Sequence, residues 1–566
     1  MTARPIHSML VLGAAVALCT MTLHAQERDT VASSPGGSRF TPFALSGEIG
    51  TYGELYSMSG RDGRRPSSIG RLFFRPTLTL FEAVSFDFDV LLSTEGSQAR
   101  QDINQFGVNP NWSWGQAHVG DFTDNYAQYT LNGIRIRGGG FFINPGIVRL
   151  GAVGGVTRRA VVGTAENGSF DRSIYGGRIG LGAAEGSYVD LVFLRVRDRI
   201  SSLEDMRTPP TYDSSSGMYS TPPFEVTPQE NALIGMMSHI TFFDNRLTWD
   251  VEATGSIFTR DMRVDQNKQL NVPDWVNDLY HVNLTSSAGV AVRTDVGVNM
   301  GSVSVTSGYR YVTPGYTSLG VASLMNDWQE FSLAPSVRVG RWMVSLNTIR
   351  QNDNLFGQKL NTLVRWHYGG TVSFQPTDHW SASVLGNYLT MANDAVNDTF
   401  KVSYSSLTLG TNQFLVFGEG AAVQSITVGY LYQESGNDSR LRADTRFSSH
   451  SANLGLSIPL AETITLIPGA GIVVSKVARF NAQTTQTYSA SAQHRAFDNL
   501  LVNVLTGVLS LGQGSSSFRS MFTSTYRLTR SASIGLTLSM MNFRTNSAYG
   551  SKFNEYSASL YVTQRF

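Results

Sequence analysis

Between residues 247 and 257 the chain reads LTWDVEATGSI. Leu247, Trp249, Val251, Ala253 and Ile257 fall on one side of an extended chain, and Thr248, Asp250, Glu252, Thr254 and Ser256 on the other. A period of two is the signature of a strand with one apolar and one polar face. From Val84, in VSFDFDVLLS, Val84, Phe86, Phe88, Val90 and Leu92 oppose Ser85, Asp87 and Asp89. From Val303, Val305 and Tyr309 alternate with Ser304, Thr306 and Arg310. The pattern continues to residue 566, with no helical window of comparable quality.

Composition narrows the class. A chain of 566 residues would ordinarily hold three or four soluble domains. Only 15% of residues are charged, against about a quarter in an ordinary soluble chain. Yet mean hydropathy is -0.10, and the body of the chain has no run of about 18 apolar residues, which excludes a helical membrane protein. The 55 glycines, 22 tyrosines and 31 phenylalanines favour strands and turns.

Residues 1–25 read as a signal peptide. Arg4 and His7 precede an apolar run from Met9 to Met21, and Leu23-His24-Ala25 supplies a cleavage site before Gln26. A lipoprotein signal would require a small residue before Cys19, where Leu18 stands. The mature chain then has no cysteine and carries 43 basic against 43 acidic residues. Neither nucleic acid nor a polybasic membrane contact follows from that balance.

The connections decide the architecture. Eleven short ones, among them Glu82-Ala83, Pro145-Gly146, Asp244-Asn245, Gly340-Arg341 and Asp498-Asn499, alternate with twelve longer polar segments, among them 58–68, 96–133, 198–230 and 314–327. Phe243-Asp244-Asn245 recurs as Phe497-Asp498-Asn499. Strict short/long alternation means a sheet with tight turns at one end and loops at the other, as in outer-membrane barrels. Hydrocarbon satisfies no backbone hydrogen bond, so a spanning sheet must close on itself.

The expected fold is therefore all-β: a membrane-spanning antiparallel up-and-down β-barrel of about 24 strands, within a range of 22–26. Residues 26–42 form a flexible tail, and 43–566 a single barrel. Trp249, Trp342 and Trp380 near short turns, with Trp328 and Trp366 beside long loops, supply two interfacial girdles. Asp87, Asp89, Arg135, Arg137, Arg178 and Arg310 are the candidate lumen charges, with the arginines answering the aspartates. Residues 112–120 could be a further strand, but 25 strands would break the parity of the termini. Segment 96–133 is accordingly expected to fold into the lumen as a constriction or plug; the alternative is a missed partner within 122–133, giving 26.

The final strand carries a resemblance. Tyr556, Ala558, Leu560, Val562, Gln564 and Phe566 share one face. Alternation ending in a C-terminal Phe resembles the signature of bacterial outer-membrane barrels that the barrel-assembly machinery recognises. Leu560, Val562 and Phe566 are then the assembly signal, and Gln564 departs from the usual apolar or aromatic residue. A second stretch, over about residues 103–159, holds INQFGVNPNWSW, Gly120-Asp121-Phe122, Tyr129-Thr130-Leu131 and RGGGFFINPGIVRL, and resembles uncharacterised barrels of the Bacteroidota and related phyla. Both imply export to the outer membrane of a diderm bacterium, and contact with its lipid.

Little in the sequence points to catalysis. None of the nine histidines pairs with another at metal-ligand spacing. His379-Trp380-Ser381 is similar to the His-x-Ser spacing of an outer-membrane phospholipase, but stands at a short turn. Asp29-Thr30-Val31 resembles the box by which energised receptors contact an inner-membrane partner, yet no room exists for their plug domain before the first strand near Phe43. No enzyme activity and no cofactor are expected. The leading expectation is a porin-like passive channel for small hydrophilic solutes. A structural or secretion-associated barrel that binds other proteins is the alternative, and an outer-membrane hydrolase comes third.

Overall fold

A computed structural model describes residues 42–95, 103–161, 168–183, 186–204, 211–213, 218–220, 226–265, 280, 282–418, 423–437, 439, 445–497, 499–511, 514–546 and 550–566. The expected signal peptide, 1–25, and all but residue 42 of the expected tail, 26–42, lie outside these residues.

Twenty-six strands form one antiparallel sheet in which each strand pairs with its neighbours in sequence. The sheet closes where Phe43–Ser59 pairs with both Ser68–Leu80 and Phe553–Arg565, in the registers Phe43↔Leu80 and Glu48↔Arg565. Closure leaves no unpaired edge, the requirement for a sheet in hydrocarbon. Among the described residues the only additions are a short hairpin, Thr211–Asp213 with Met218–Ser220, and one helical turn at Ser201–Glu204.

The short connections fall where the sequence places them. Leu80 and Val84 bracket the first, where Phe81 and Glu82 adopt φ of 54° and 55°. Such left-handed pairs match the twist of the flanking strands in a tight hairpin. Ile143 and Val148 bracket Pro145-Gly146, and Phe242 and Leu247 bracket Asp244-Asn245.

The central strand count of 24 is two short, with 26 at the upper bound of the expected range. Gln105–Trp112 and Gly115–Thr123 are wall strands, joined by a two-residue turn at Ser113-Trp114. The 96–133 segment is therefore not one inward connection. Asn109-Pro110-Asn111 and a turn between two tryptophans read as loop, yet the ladder accommodates them. Pairing between the two strands omits Asn109 and Pro110, so the amide hydrogen that proline lacks is not needed there.

Alternation has a clear sense in the strands from 115 to 312. One series carries exposed Val119, Phe141, Ile179, Leu191, Phe193 and Ile234. The opposite series carries buried Phe122, Ile136, Val153, Ile174, Leu194, Leu233 and Ala291, which pack into a single cluster. The exposed series faces outward, and the buried cluster lies inside the barrel.

The candidate luminal site

The cluster exists because two long connections fold into the barrel. After Thr123 the chain descends through 124–134, placing Tyr126, Tyr129 and Leu131 against the wall. After Val312 the segment 313–327 adds Tyr316, with Leu319 and Leu324 packed at its margin. The inner wall here carries an apolar patch, and the two segments cover it as an inlay. Gly140 shows the fit: a Cβ there would press on the Phe122 ring.

Directional bonds set the inlay's position. The Glu252 carboxylate accepts the backbone amides of Gln128 at 3.0 Å and Tyr129 at 2.7 Å. Arg293 donates to the Gln128 side-chain oxygen at 2.9 Å. Asn231 accepts from the Leu319 amide at 2.9 Å, and Ser256 donates to the Thr317 carbonyl at 2.5 Å. The segments also hold each other: Tyr316 donates to the Tyr129 carbonyl at 2.7 Å, Ser318 to that of Thr130 at 2.9 Å, and the Asn132 amide to Gly320 at 2.9 Å. Burial pushes the Tyr129 phenol up to about 12, and those of Tyr126 and Tyr316 rise for the same reason.

Charged residues line the same wall. Arg149 and Asp190 form a buried bidentate pair at 2.7 and 3.0 Å. Arg172 and Asp198 form another at 2.7 and 2.9 Å. Arg178 lies 3.6 Å above the Phe142 ring and 5.1 Å from that of Tyr126. Bidentate pairing is what permits the charges of Arg149 and Arg172 beneath an apolar cover.

The sequence-derived candidates divide. Asp87, Asp89, Arg178 and Arg310 are on the inner face. Asp87 accepts from Thr77 at 2.6 Å, and Asp89 pairs with Arg75 at 2.9 Å rather than with any of the proposed arginines. Arg310 pairs with Glu330 and approaches Asp295 at 3.8 Å.

Arg135 and Arg137 are a correction. They flank Ile136, which is fully buried in the inner cluster, so they share the outward face of Phe141. Both bind Asp121, at 3.3 and 3.0 Å. The expectation assumed that apolar residues face out and polar ones in. The inlay reverses that polarity at Ile136.

The tryptophans divide similarly. Trp249, Trp342 and Trp380 are exposed near short turns, and Trp342 stacks on Phe374 at 3.9 Å. Trp366 stacks on the outward Tyr368 at 5.7 Å. Trp328 instead packs against the inner cluster, paired with the buried Val312, and so lies outside any girdle.

At the C-terminal strand, Gln564 is buried and its amide donates to Ser531 Oγ at 2.9 Å and the Arg565 carbonyl at 2.7 Å. It caps the adjoining turn, work that an apolar residue could not do. Phe566 stacks on Phe74 at 6.4 Å across the closing seam, and Leu560 and Val562 lie on that strand opposite Gly53 and Thr51.

Glu252, Asp190 and Tyr316 were not singled out as site residues from sequence, and Tyr129 and Arg149 entered only within the resembling stretch. The available signal was Tyr126, Tyr129 and Leu131 within eight residues of a supposed polar loop, repeated by Tyr316 and Leu319 in the second segment. Among the described residues no group of three or more His, Cys, Asp or Glu could hold a metal ion.

No family model matches the chain, and no curated protein matches it. Solved structures similar to it include OpdK of Pseudomonas aeruginosa with vanillate, at 11% identity and TM-score 0.30, over 60% of this chain and 93% of that one. The ferric enterobactin receptor PfeA of Pseudomonas aeruginosa, in complex with BCV-L6, is 9% identical at TM-score 0.42, over 92% of this chain and 81% of that one. A bacterial polysaccharide outer membrane secretin is 12% identical at TM-score 0.24, over 49% and 91%.

Proposed function

We propose that the chain is an outer-membrane barrel that conducts small hydrophilic solutes passively past a fixed luminal inlay. The observation that carries this reading is the closed sheet of 26 strands with an apolar exterior and a charged inner wall, narrowed on one side by segments 124–134 and 313–327. A barrel this wide encloses an aqueous space unless something fills it. An inlay bonded to one wall narrows that space without requiring energised removal. Asp87, Asp89, Arg178 and Arg310 bear on ion preference from the inner face.

Export by residues 1–25 and assembly through Leu560, Val562 and Phe566 belong to the same reading. The resemblance of 103–159 to Bacteroidota-type barrels supports location and adds no chemistry. The test is conductance of the purified protein in a planar bilayer. Open-channel steps are expected; a silent barrel that co-purifies with protein partners would replace the channel by the structural or secretion-associated alternative.

A further inference from the structure

Arg135 and Arg137 belong to a row that the channel reading does not use. Cross-strand neighbours run Asp121↔Arg137, Arg137↔Val156, Val156↔Ser173, Ser173↔Arg197 and Arg197↔Glu230, across six adjacent strands on the outward face. Flanking registers add Arg135, Arg199 with Asp171, and Arg195. Toward the short-turn end the same faces are apolar, with Phe141, Ile179, Phe193 and Ile234 exposed. The change from apolar to basic therefore occurs on consecutive strands at the loop end of the barrel.

Among the described residues three acids, Asp121, Asp171 and Glu230, stand in this row with five arginines. Asp121 serves both Arg135 and Arg137, and Asp171 serves Arg199 at 2.7 Å. Glu230 is taken by Arg195 at 2.5 Å, leaving Arg197 at 3.9 Å. The side chains of Arg137, Arg197 and Arg199 are 50%, 51% and 67% exposed. A local cationic surplus stands on a mature chain that is neutral overall. Charge on a lipid-facing surface is costly at the bilayer midplane and nearly cost-free near its edges. These arginines consequently belong at head-group depth.

Two clefts lie in this row. One of about 260 Å³ includes Arg135, Arg137 and Val156. The other, about 570 Å³, includes Ser173, Arg197 and Arg199. Arg137 and Arg197 are three strand spacings apart, about 14 Å. We infer that this row binds a diphosphorylated glycolipid of the surrounding leaflet, with one phosphate in each basic cleft and the acyl chains along the apolar exterior below. Guanidinium groups suit phosphate because their donors form a planar fork.

The inference rests on the membrane reading above. The full chain is reconstituted in bilayers of phosphatidylcholine containing diphosphorylated lipid A, extracted gently, and its retained lipid counted by native mass spectrometry. Failure to insert would strike the membrane reading itself, before any lipid is counted. Given insertion, retention of the diphosphorylated lipid and not of its dephosphorylated form is expected, undiminished by added inorganic phosphate. R197Q with R199Q, and separately R137Q, should each lower retention roughly tenfold, since each removes charge-assisted donors, while the barrel's heat-modifiable migration persists. Equal retention of the dephosphorylated lipid, unchanged retention in both variants, or phosphate binding without lipid retention would each overturn the assignment.

Discussion

Tyr129 is suspended from Glu252: a carboxylate on the wall strand Leu247–Thr259 accepts its backbone amide at 2.7 Å from 123 residues away. The same carboxylate takes the neighbouring Gln128 amide at 3.0 Å. One side chain thus anchors the inlay's first segment, and the proposed constriction depends on it.

Glu252→Ala should release segment 124–134 from the wall. Two buried amides lose their charged acceptor, a loss of about 2–4 kcal/mol. Single-channel conductance should rise and protease should cut within 124–134, with Glu252→Gln intermediate. Unchanged conductance and protection would show that the apolar contacts suffice to hold the segment.

Tyr316→Phe removes one hydrogen bond, from its hydroxyl to the Tyr129 carbonyl at 2.7 Å, and leaves the ring contact at 6.3 Å intact. A loss of about 1 kcal/mol is expected. Leu131→Ala empties a fully buried site in the same cluster and should cost about 2–5 kcal/mol. Thermal denaturation of the two variants in detergent provides the comparison.

The two faces make opposite predictions for ion selectivity. Asp89→Lys reverses a charge on the inner wall beside Arg75 and should shift the permeability ratio toward anions by roughly twofold. Arg137→Gln changes the exterior and should leave the ratio unaltered. Reversal potentials under a salt gradient measure both, and an effect of Arg137→Gln equal to that of Asp89→Lys would contradict the outward placement.

Alkaline pH should loosen the inlay. The Tyr129 phenol is held up to about 12 by burial, with those of Tyr126 and Tyr316 raised likewise. An unfolded tyrosine titrates near pH ~10, so the folded form holds its proton more tightly. The corresponding stability is fully present below about pH 10 and is lost as pH rises through the folded value. Ultraviolet titration should find these phenols silent at pH ~10, where free tyrosines ionise, with a conductance change only at higher pH. Free titration near pH ~10 would show that the segments do not cover them.

Much of the wall was legible because its signals are local. Pro145-Gly146 and Asp244-Asn245 mark tight turns by residue type, and their strands begin and end within two residues of them. Ser113-Trp114 escaped notice because it contains none of Gly, Pro, Asn or Asp. The candidate site was harder to read. Asp87 and Asp89 point inward as their alternation suggests, but the partner of Asp89 is Arg75, a contact set by register between neighbouring strands.

The sequence by itself determined a closed barrel of alternating strands, with short turns at one end and loops at the other, because period and turn chemistry are properties of neighbouring residues. It could not determine which side of Arg135–Ile136–Arg137 faces inward. Alternation defines two faces without assigning them, and an apolar residue can be buried either in lipid or beneath a folded-in segment. The contacts of Tyr129 with Glu252 and of Tyr316 with Tyr129 join parts of the chain more than 120 residues apart. Only the tertiary structure brings them together, and their packing turns Ile136 inward and the two arginines out.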